Sequence, residues 1–148
     1  DVCSSDLSWQ ITSDRKGVVQ TSYQILVASS REKLDRNEAD LWDSGERNSD
    51  EQLWIPYQGK ALLSGAQAYW KVRITTNKGK SEWTEPQLFT IGLLGETKWS
   101  GTWIGLEDLQ PGEQKGMHTR LAARYIRKDF AAKGKVKRAL AYVAGLGV

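Results

Sequence analysis

The chain has 148 residues, of which 39% are hydrophobic and 26% are charged, and its formal net charge is +3. That length accommodates one ordinary domain, or one small domain and part of another. No run of about 18 apolar residues is present, which excludes a membrane-spanning helix, and the apolar content is too high for a disordered chain. A single cysteine and a single histidine exclude a disulfide scaffold and the usual zinc sites, so we expect no cofactor and no metal.

Both ends of the chain have unusual sequences. Residues 1–7 read DVCSSDL, which matches the translation of a common sequencing-adapter end. We interpret them as an adapter scar and leave them out of the fold argument, with a genuine natural start as the alternative. Residues 142–148 form an apolar, strand-like run without a polar tail, so we expect an internal fragment of a longer protein.

Short alternating segments begin the remaining chain. Residues 8–11 alternate briefly, and residues 14–17 predict a turn. Residues 21–28 predict a strand, since their polarity alternates with a period of two. One face of this strand carries Tyr23, Ile25 and Val27, and the other carries Gln24, Leu26 and Ala28. We expect one of these faces in a core and the other to be partly covered.

The next segments are shorter and more polar. Residues 30–40 are rich in charge and predict either a helical turn or a surface loop. Residues 41–45 predict a short edge strand that ends in a turn. Residues 53–57 predict another short strand, and Pro56 makes a central position unfavourable because proline cannot donate to a ladder.

The clearest strand covers residues 68–76, with Trp70, Val72 and Ile74 on one face. Residues 77–80 predict a hairpin turn, because Asn and Gly accept positive φ, and residues 81–91 return as the partner strand. Five or six short strands joined by turns, without a long helical period, indicate an all-β, antiparallel sandwich over residues 8–95.

The composition changes near residue 95. The net charge is −2 over residues 1–95 and +5 over residues 96–148. New apolar sequence begins at residues 99–105, and residues 123–130 and 136–143 predict two further strands. We therefore expect residues 96–148 to be the beginning of a second, truncated β-sandwich domain.

Few residues offer catalytic or nucleic-acid chemistry. Glu107 and Asp108 are adjacent on a predicted loop, so they cannot serve as a catalytic acid and base on opposite sides of a substrate. The sequence offers no nucleophile for which His118 would act as the base. We therefore predict no catalytic residue. The basic residues at 127–138 surround a predicted hairpin tip at Gly134 and belong to no nucleic-acid motif, so no nucleic-acid partner is expected.

The seven tryptophans are the most distinctive residues of the chain. Most of them are expected to fill a thin sandwich core, and sugar-stacking platforms are the alternative. Trp54 and Tyr57 flank Pro56 on the predicted edge segment. They are the best candidates for an exposed aromatic pair that could stack on a sugar, but core or interdomain packing is the favoured interpretation and sugar contact is the alternative.

Nine short motifs occur in order. Ser-Trp, Gln-Thr-x-Tyr-Gln-Ile-x-Val, Leu-Trp-Asp-Ser-Gly, Tyr-Trp-x-Val-Arg, Ser-x-Trp and Phe-x-x-Gly-Leu-Leu begin at residues 8, 20, 41, 69, 81 and 89. Trp-x-x-x-Trp-Ile, Arg-Lys-x-Phe and Tyr-Val-x-Gly-Leu-Gly begin at residues 99, 127 and 142. Each motif alone is weak, but the ordered series resembles the N-terminal region of bacterial α-L-rhamnosidases of glycoside hydrolase family seventy-eight.

The resemblance implies an immunoglobulin/fibronectin-III-like sandwich followed by the start of a jelly-roll-like domain. It implies a parent enzyme that removes terminal α-L-rhamnose from glycosides or polysaccharides with inversion, on a downstream (α/α)6 barrel. The implied partners are that catalytic domain and a rhamnose-containing glycan, and a periplasmic or extracellular location is favoured. The alternative is a stand-alone carbohydrate-binding or adhesive sandwich, because such folds support many functions.

Overall fold

The structure of the chain is a computed structural model, which describes residues 6–95, 99–105, 111–113, 116 and 124–145. The chain divides into two compact units, Asp1–Lys98 and Trp99–Val148. Regular secondary structure in the described residues belongs to the first unit. In chain order its elements are β1 (Asp6–Leu7), β2 (Gln20–Ala28), α1 (Arg31–Asp35), β3 (Trp42–Asp43), β4 (Ile55–Pro56), β5 (Gln67–Thr76), β6 (Gly79–Lys80) and β7 (Gln87–Thr90).

Two antiparallel sheets make up the first unit. The larger sheet has the order β3-β2-β5-β6, and β7 also pairs with β5. The smaller sheet contains β1 and β4, with Leu7 opposite Ile55. The predicted edge positions are confirmed, because β3 lies at one end of the larger sheet and Pro56 belongs to the two-stranded sheet.

The main core lies between these sheets. Ile25, Val27 and Val72 of the larger sheet are almost completely buried, and Leu7 and Ile55 of the smaller sheet belong to the same cluster. The faces predicted for β2 and β5 are therefore confirmed, and the fold is the expected all-β sandwich. Four of the seven tryptophans are partly buried against the cores of this unit, namely Trp9, Trp42, Trp70 and Trp83.

A second, smaller core covers the opposite face of the larger sheet. Leu26 and Ala28 of β2 pack there with Leu34 of α1, which is fully buried. The helix begins after Ser30, whose hydroxyl accepts a hydrogen bond from the Lys33 amide and so satisfies one free donor of the first turn. The charged segment at 30–40 thus contains a helical turn, because its single buried apolar side chain completes this core.

The predicted return strand over residues 81–91 is interrupted. Ladder pairing to β5 occurs at β6 and again at β7, and the residues between them form no strand. In this gap the hydroxyls of Ser81 and Thr84 accept hydrogen bonds from the amides of Ile74 and Val72, at 3.0 and 3.1 Å. The amides of Ser81 and Thr84 in turn donate to the carbonyls of Ile74 and Val72, at 2.8 and 2.9 Å. Hydroxyl and backbone groups together therefore satisfy β5 ahead of Pro86, which has no amide hydrogen for a regular ladder.

The second unit contains no strand among its described residues. The strands predicted over 123–130 and 136–143 are absent from residues 124–145, while residue 123 lies outside the described part. Alternation fits side chains to the two faces of a sheet, but a strand also needs a neighbouring strand to form a ladder, and the described residues of this unit form no ladder. Large apolar side chains are consequently exposed here, including Trp103, Tyr125, Phe130 and Val143.

One ion pair fastens the loop between α1 and β3. The Asp40 carboxylate accepts hydrogen bonds from the Lys33 ammonium at 2.6 Å and from the Ser29 amide and hydroxyl at 2.9 and 2.7 Å. Burial raises the pKa of Asp40, but these hydrogen bonds outweigh it and lower the pKa from 3.8 to about 2. The folded state therefore favours the charged carboxylate.

We expect Asp40→Asn to reduce stability at neutral pH and to have no such effect in acid. Because the folded-state pKa lies below the unfolded value, the contribution is full above that value and is lost as the pH falls from 3.8 towards 2. Solvent screening limits its size to about 1 kcal/mol. Urea denaturation of both proteins across this pH range measures the difference, and a difference that does not depend on pH would contradict this account.

Candidate functional site

A chain of polar contacts crosses the outer face of the larger sheet. The Asp43 carboxylate accepts hydrogen bonds from the Gln24 amide at 2.8 Å and from the backbone of Gly45 at 2.9 Å. The Gln24 carbonyl in turn accepts two hydrogen bonds from the Arg73 guanidinium, at 2.7 and 3.2 Å. Arg73 stacks 4.5 Å from the centre of the Trp83 ring. These side chains are engaged with one another, and their role is to hold three strands and a loop together.

Lys71 is the most buried charged residue of this face, with 5% of its surface exposed. Its ammonium donates to the Leu34 carbonyl at the end of α1 and to the Asn37 side chain at 2.7 Å, and lies 5.2 Å from the centre of the Trp83 ring. Burial lowers its pKa, the nearby Asp35 opposes that shift, and Arg73 adds to it. The Lys71 ammonium therefore places a positive charge and hydrogen-bond donors at the C-terminus of α1, where helix carbonyls are free to accept.

The two predicted sugar-contact residues lie in different environments. Trp54 is 75% exposed, whereas Tyr57 is partly buried against the main core and meets the rings of Trp42 and Phe89 edge-on. The Tyr57 hydroxyl donates to the Lys60 carbonyl at 2.8 Å. The structure thus does not present Trp54 and Tyr57 as one exposed pair, because alternation along β4 places Tyr57 on the inward side with Ile55.

An open groove lies next to Trp54 in sequence. It has a volume of about 790 Å³ and runs between two extended segments, residues 8–10 and residues 50–53. Trp9 and Leu53 supply apolar surface, and the polar lining consists of Ser8, Gln10, Asp50, Glu51 and Gln52. The briefly alternating residues 8–11 form no regular strand, and the Trp9 amide donates to the Gln52 carbonyl at 3.1 Å.

Gln20 holds both walls of this groove. Its side-chain carbonyl accepts from the Trp9 indole at 3.0 Å, and its amide donates to the carbonyls of Ser49 and Glu51, each at 3.0 Å. Only 2% of Gln20 is exposed. A β-bulge between Gln20 and Ser22 shifts the register here, so that Gln20 reaches the side on which Trp9 packs against Tyr23.

Sequence reasoning missed this groove and its frame. A glutamine at the start of an apolar strand is a weak signal, because simple alternation places Gln20 on the same face as Gln24. Only the bulge brings it to the opposite side. Asp50 and Gln52 lie in a segment without periodicity, so nothing in the local pattern points to them.

Within the described residues, no three His, Cys, Asp or Glu side chains come close enough together to hold a metal ion. Glu107, Asp108 and His118, for which the sequence predicts no catalytic role, lie outside the described part of the chain. The part that is described has no helix that is long and apolar enough to span a membrane. The predicted turn at Gly134 has a positive φ of 83°, and the basic residues beside it are exposed.

The two facing antiparallel sheets of the first unit define an immunoglobulin-like β-sandwich. The chain belongs to the family of Rha78A-like, N-terminal immunoglobulin domains, whose model matches residues 1–95.

Relatives extend the match beyond this domain. The chain is 35% identical over 155 aligned residues to an α-L-rhamnosidase of Formosa agariphila, an alignment that covers 95% of this chain and 16% of that protein. It is 33% identical to an α-L-rhamnosidase of an Alteromonas species, covering 98% of this chain and 16% of that protein. The chain thus spans about one sixth of the length of these relatives.

Two solved structures are similar as well. The α-L-rhamnosidase of Streptomyces avermitilis, in complex with L-rhamnose, is 39% identical with a TM-score of 0.60, over 68% of this chain and 10% of that one. The α-L-rhamnosidase of Dictyoglumus thermophilum is 38% identical with a TM-score of 0.57, over 60% of this chain and 10% of that one.

Proposed function

We propose that the chain is the non-catalytic N-terminal part of an α-L-rhamnosidase. The whole enzyme would remove terminal α-L-rhamnose from glycosides or polysaccharides by inverting hydrolysis, on a catalytic domain downstream of residues 1–148. The observation that carries this proposal is that the similarity continues past residue 95, through 95% and 98% of the chain, in relatives that are themselves α-L-rhamnosidases.

The same observation disfavours the alternative of a stand-alone carbohydrate-binding or adhesive sandwich. A free module would share only the immunoglobulin-like domain with these enzymes, whereas the second unit is included in the alignments. We propose residues 8–95, together with β1, as the immunoglobulin-like domain and residues 96–148 as the start of a jelly-roll-like domain. Asp6 and Leu7, which the sequence assigns to a scar, take part in the fold, since they pair with β4 and Leu7 lies in the main core. The division into units at Lys98 and Trp99 and the end of the family match at residue 95 support this boundary.

The partner proposed for the second unit is the remainder of the enzyme. Its described residues expose Trp103, Ile104, Tyr125, Phe130 and Val143, of which Tyr125 is 99% exposed. Exposed apolar surface of this kind marks a protein interface more often than free surface. Packing against a larger enzyme would bury these side chains, and the rhamnose-containing glycan would be the substrate of that enzyme.

The test is to express the whole source reading frame and to compare its product with residues 1–148. The product is expected to hydrolyse an aryl α-L-rhamnoside, and proton NMR should show β-L-rhamnose as the first anomer released, because inversion changes the anomeric configuration. Residues 1–148 alone are expected to release none. A whole product that binds sugar without hydrolysing it, or that consists of further sandwich domains, would refute the proposal and leave the adhesive module.

A further inference from the structure

We propose that the groove between residues 8–10 and 50–53 is a binding site for a neutral saccharide. The proposal deepens the proposed function by giving the non-catalytic sandwich a glycan-binding surface of its own. The groove proposal rests on the proposed α-L-rhamnosidase function in one respect, the expectation that the bound sugar carries rhamnose.

The groove is held in shape before any ligand arrives. Trp9 is bonded through its backbone to Gln52 and through its indole to Gln20, and its ring meets Tyr23 edge-on at 5.0 Å. Gln20 also fixes the opposite wall through two backbone carbonyls. Because a buried side chain that makes three hydrogen bonds joins the walls, little conformational freedom is left to lose on binding.

The chemistry of the lining fits a sugar ring. Trp9 and Leu53 present apolar surface, and 64% of Leu53 is exposed, so the C–H face of a pyranose finds a matching surface. The amides of Gln10 and Gln52 both donate and accept hydrogen bonds, as hydroxyl groups do. The Asp50 carboxylate adds a strong acceptor for a hydroxyl pair.

The charge of the lining selects among ligands. Two carboxylates, Asp50 and Glu51, lie among the described lining residues, and neither lysine nor arginine does. A phosphate, sulfate or uronate group would meet only like charge there, so the charge of the lining disfavours an anionic sugar. A cation is tested separately, with choline. The groove is open to solvent and has a volume of about 790 Å³, which leaves room for a sugar ring on its apolar surface.

The backbone at the end of the groove is strained in a way that supports a binding role. Trp54, directly after Leu53, has a φ of 58°, which is rare for an aromatic residue. The Ser8 hydroxyl accepts a hydrogen bond from the Trp54 amide at 3.0 Å and stabilises this conformation. Backbone strain of this kind clusters at functional positions, and here it lies at the residue that directly follows the groove lining.

The experiment uses the whole chain of residues 1–148, labelled with nitrogen-15. L-rhamnose, the rhamnose-terminated disaccharide rutinose and the rhamnose-free cellobiose are titrated separately, with choline as a cationic probe. We expect rutinose to shift the Trp9 indole signal and the side-chain amide signals of Gln10 and Gln52, while the signals of the buried Val27 and Val72 amides stay unchanged. Choline is expected to shift none of them.

Two variants locate the site. The two variants are Gln52→Ala and Asp50→Ala. The Gln52 side chain makes one long hydrogen bond, of 3.4 Å to the backbone carbonyl of Asp50, and no hydrogen bond of the Asp50 side chain is among those described. Each is expected to weaken rutinose binding about fivefold, the loss of one hydrogen bond. Gln58→Ala is the matched control, since Gln58 is exposed and lies outside the groove lining, and it should leave binding unchanged.

Several outcomes would overturn the proposal. It is wrong if no saccharide shifts the groove signals, if choline alone does, or if binding survives both variants unchanged. The two proposals can fail separately. If the whole protein hydrolyses a rhamnoside but the groove binds no sugar, only the proposed saccharide site is refuted. A groove that binds cellobiose in a parent without hydrolase activity refutes the proposed enzyme and leaves the saccharide site standing.

Discussion

Gln20→Ala is expected to lower the free energy of unfolding by about 3 kcal/mol, because three hydrogen bonds of a buried side chain are lost. The Trp9 indole and the carbonyls of Ser49 and Glu51, which are part-buried in these bonds, would lose their partner, and Gln20 itself is 2% exposed. Urea denaturation followed by circular dichroism measures the loss. The groove should also open, and faster hydrogen exchange at the Trp9 amide, which donates to the Gln52 carbonyl, would report it.

Two comparisons make this prediction specific. Gln58→Ala, at an exposed position, should change stability by less than about 0.5 kcal/mol. Gln20→Glu keeps the acceptor for Trp9 but places a carboxylate against the two carbonyls of Ser49 and Glu51. The pKa of that new carboxyl should therefore be raised in the folded state, so that stability is retained in acid and is lost as the pH rises through the folded-state pKa. Equal stability of Gln20→Ala and the natural chain would contradict the proposed frame.

Lys71→Met is expected to lower the free energy of unfolding by about 2 kcal/mol, since a charge-assisted pair of hydrogen bonds is lost. Methionine fills the space of the lysine stem but cannot donate to the Leu34 carbonyl or to Asn37. The helix α1 should lose its tie to β5. Hydrogen exchange should show this as a loss of protection at the amides of Leu34 and Asn37, together with the lower midpoint in urea.

The opposing physical effect is the cost of burying a charge. Lys71 is 5% exposed and burial lowers its pKa, so an apolar replacement also removes a desolvation penalty. If Lys71→Met were as stable as the natural chain or more stable, the desolvation penalty would match or exceed the gain from the hydrogen bonds. Lys71 would then contribute to the specificity of the fold rather than to its stability. Lys78→Met, at an exposed turn position, is the matched control and should have little effect.

The strands that could be predicted from the sequence are those whose alternating side chains are buried on both faces of the sheet. In β2 and β5 the period of two separates Ile25 and Val27 from Leu26, and Val72 from Lys71, and the structure places each set as expected. The prediction that residues 81–86 continue a strand is wrong, because polarity alone does not reveal that Ser81 and Thr84 satisfy β5 with hydroxyl groups.

The candidate site was harder to predict than the fold, for a physical reason. Aromatic residues near a proline draw attention to Trp54 and Tyr57, but exposure depends on which way a short strand faces, and Tyr57 faces the core. The groove depends on long-range contacts, since Gln20 and Glu51 are 31 residues apart in sequence. Such contacts arise from a bulge and a loop path, and neither leaves a periodic signal.

The hydroxyl groups of Ser81 and Thr84 also affect how this sheet meets other molecules. A strand edge with free amide hydrogens can recruit a strand from another chain, which leads to aggregation. Along β5 the amides of Val72 and Ile74 already have intramolecular acceptors, at 3.1 and 3.0 Å. The carbonyls of the same two residues accept from the amides of Thr84 and Ser81, so the segment between β6 and β7 occupies this edge with side-chain and backbone hydrogen bonds, although it forms no regular strand.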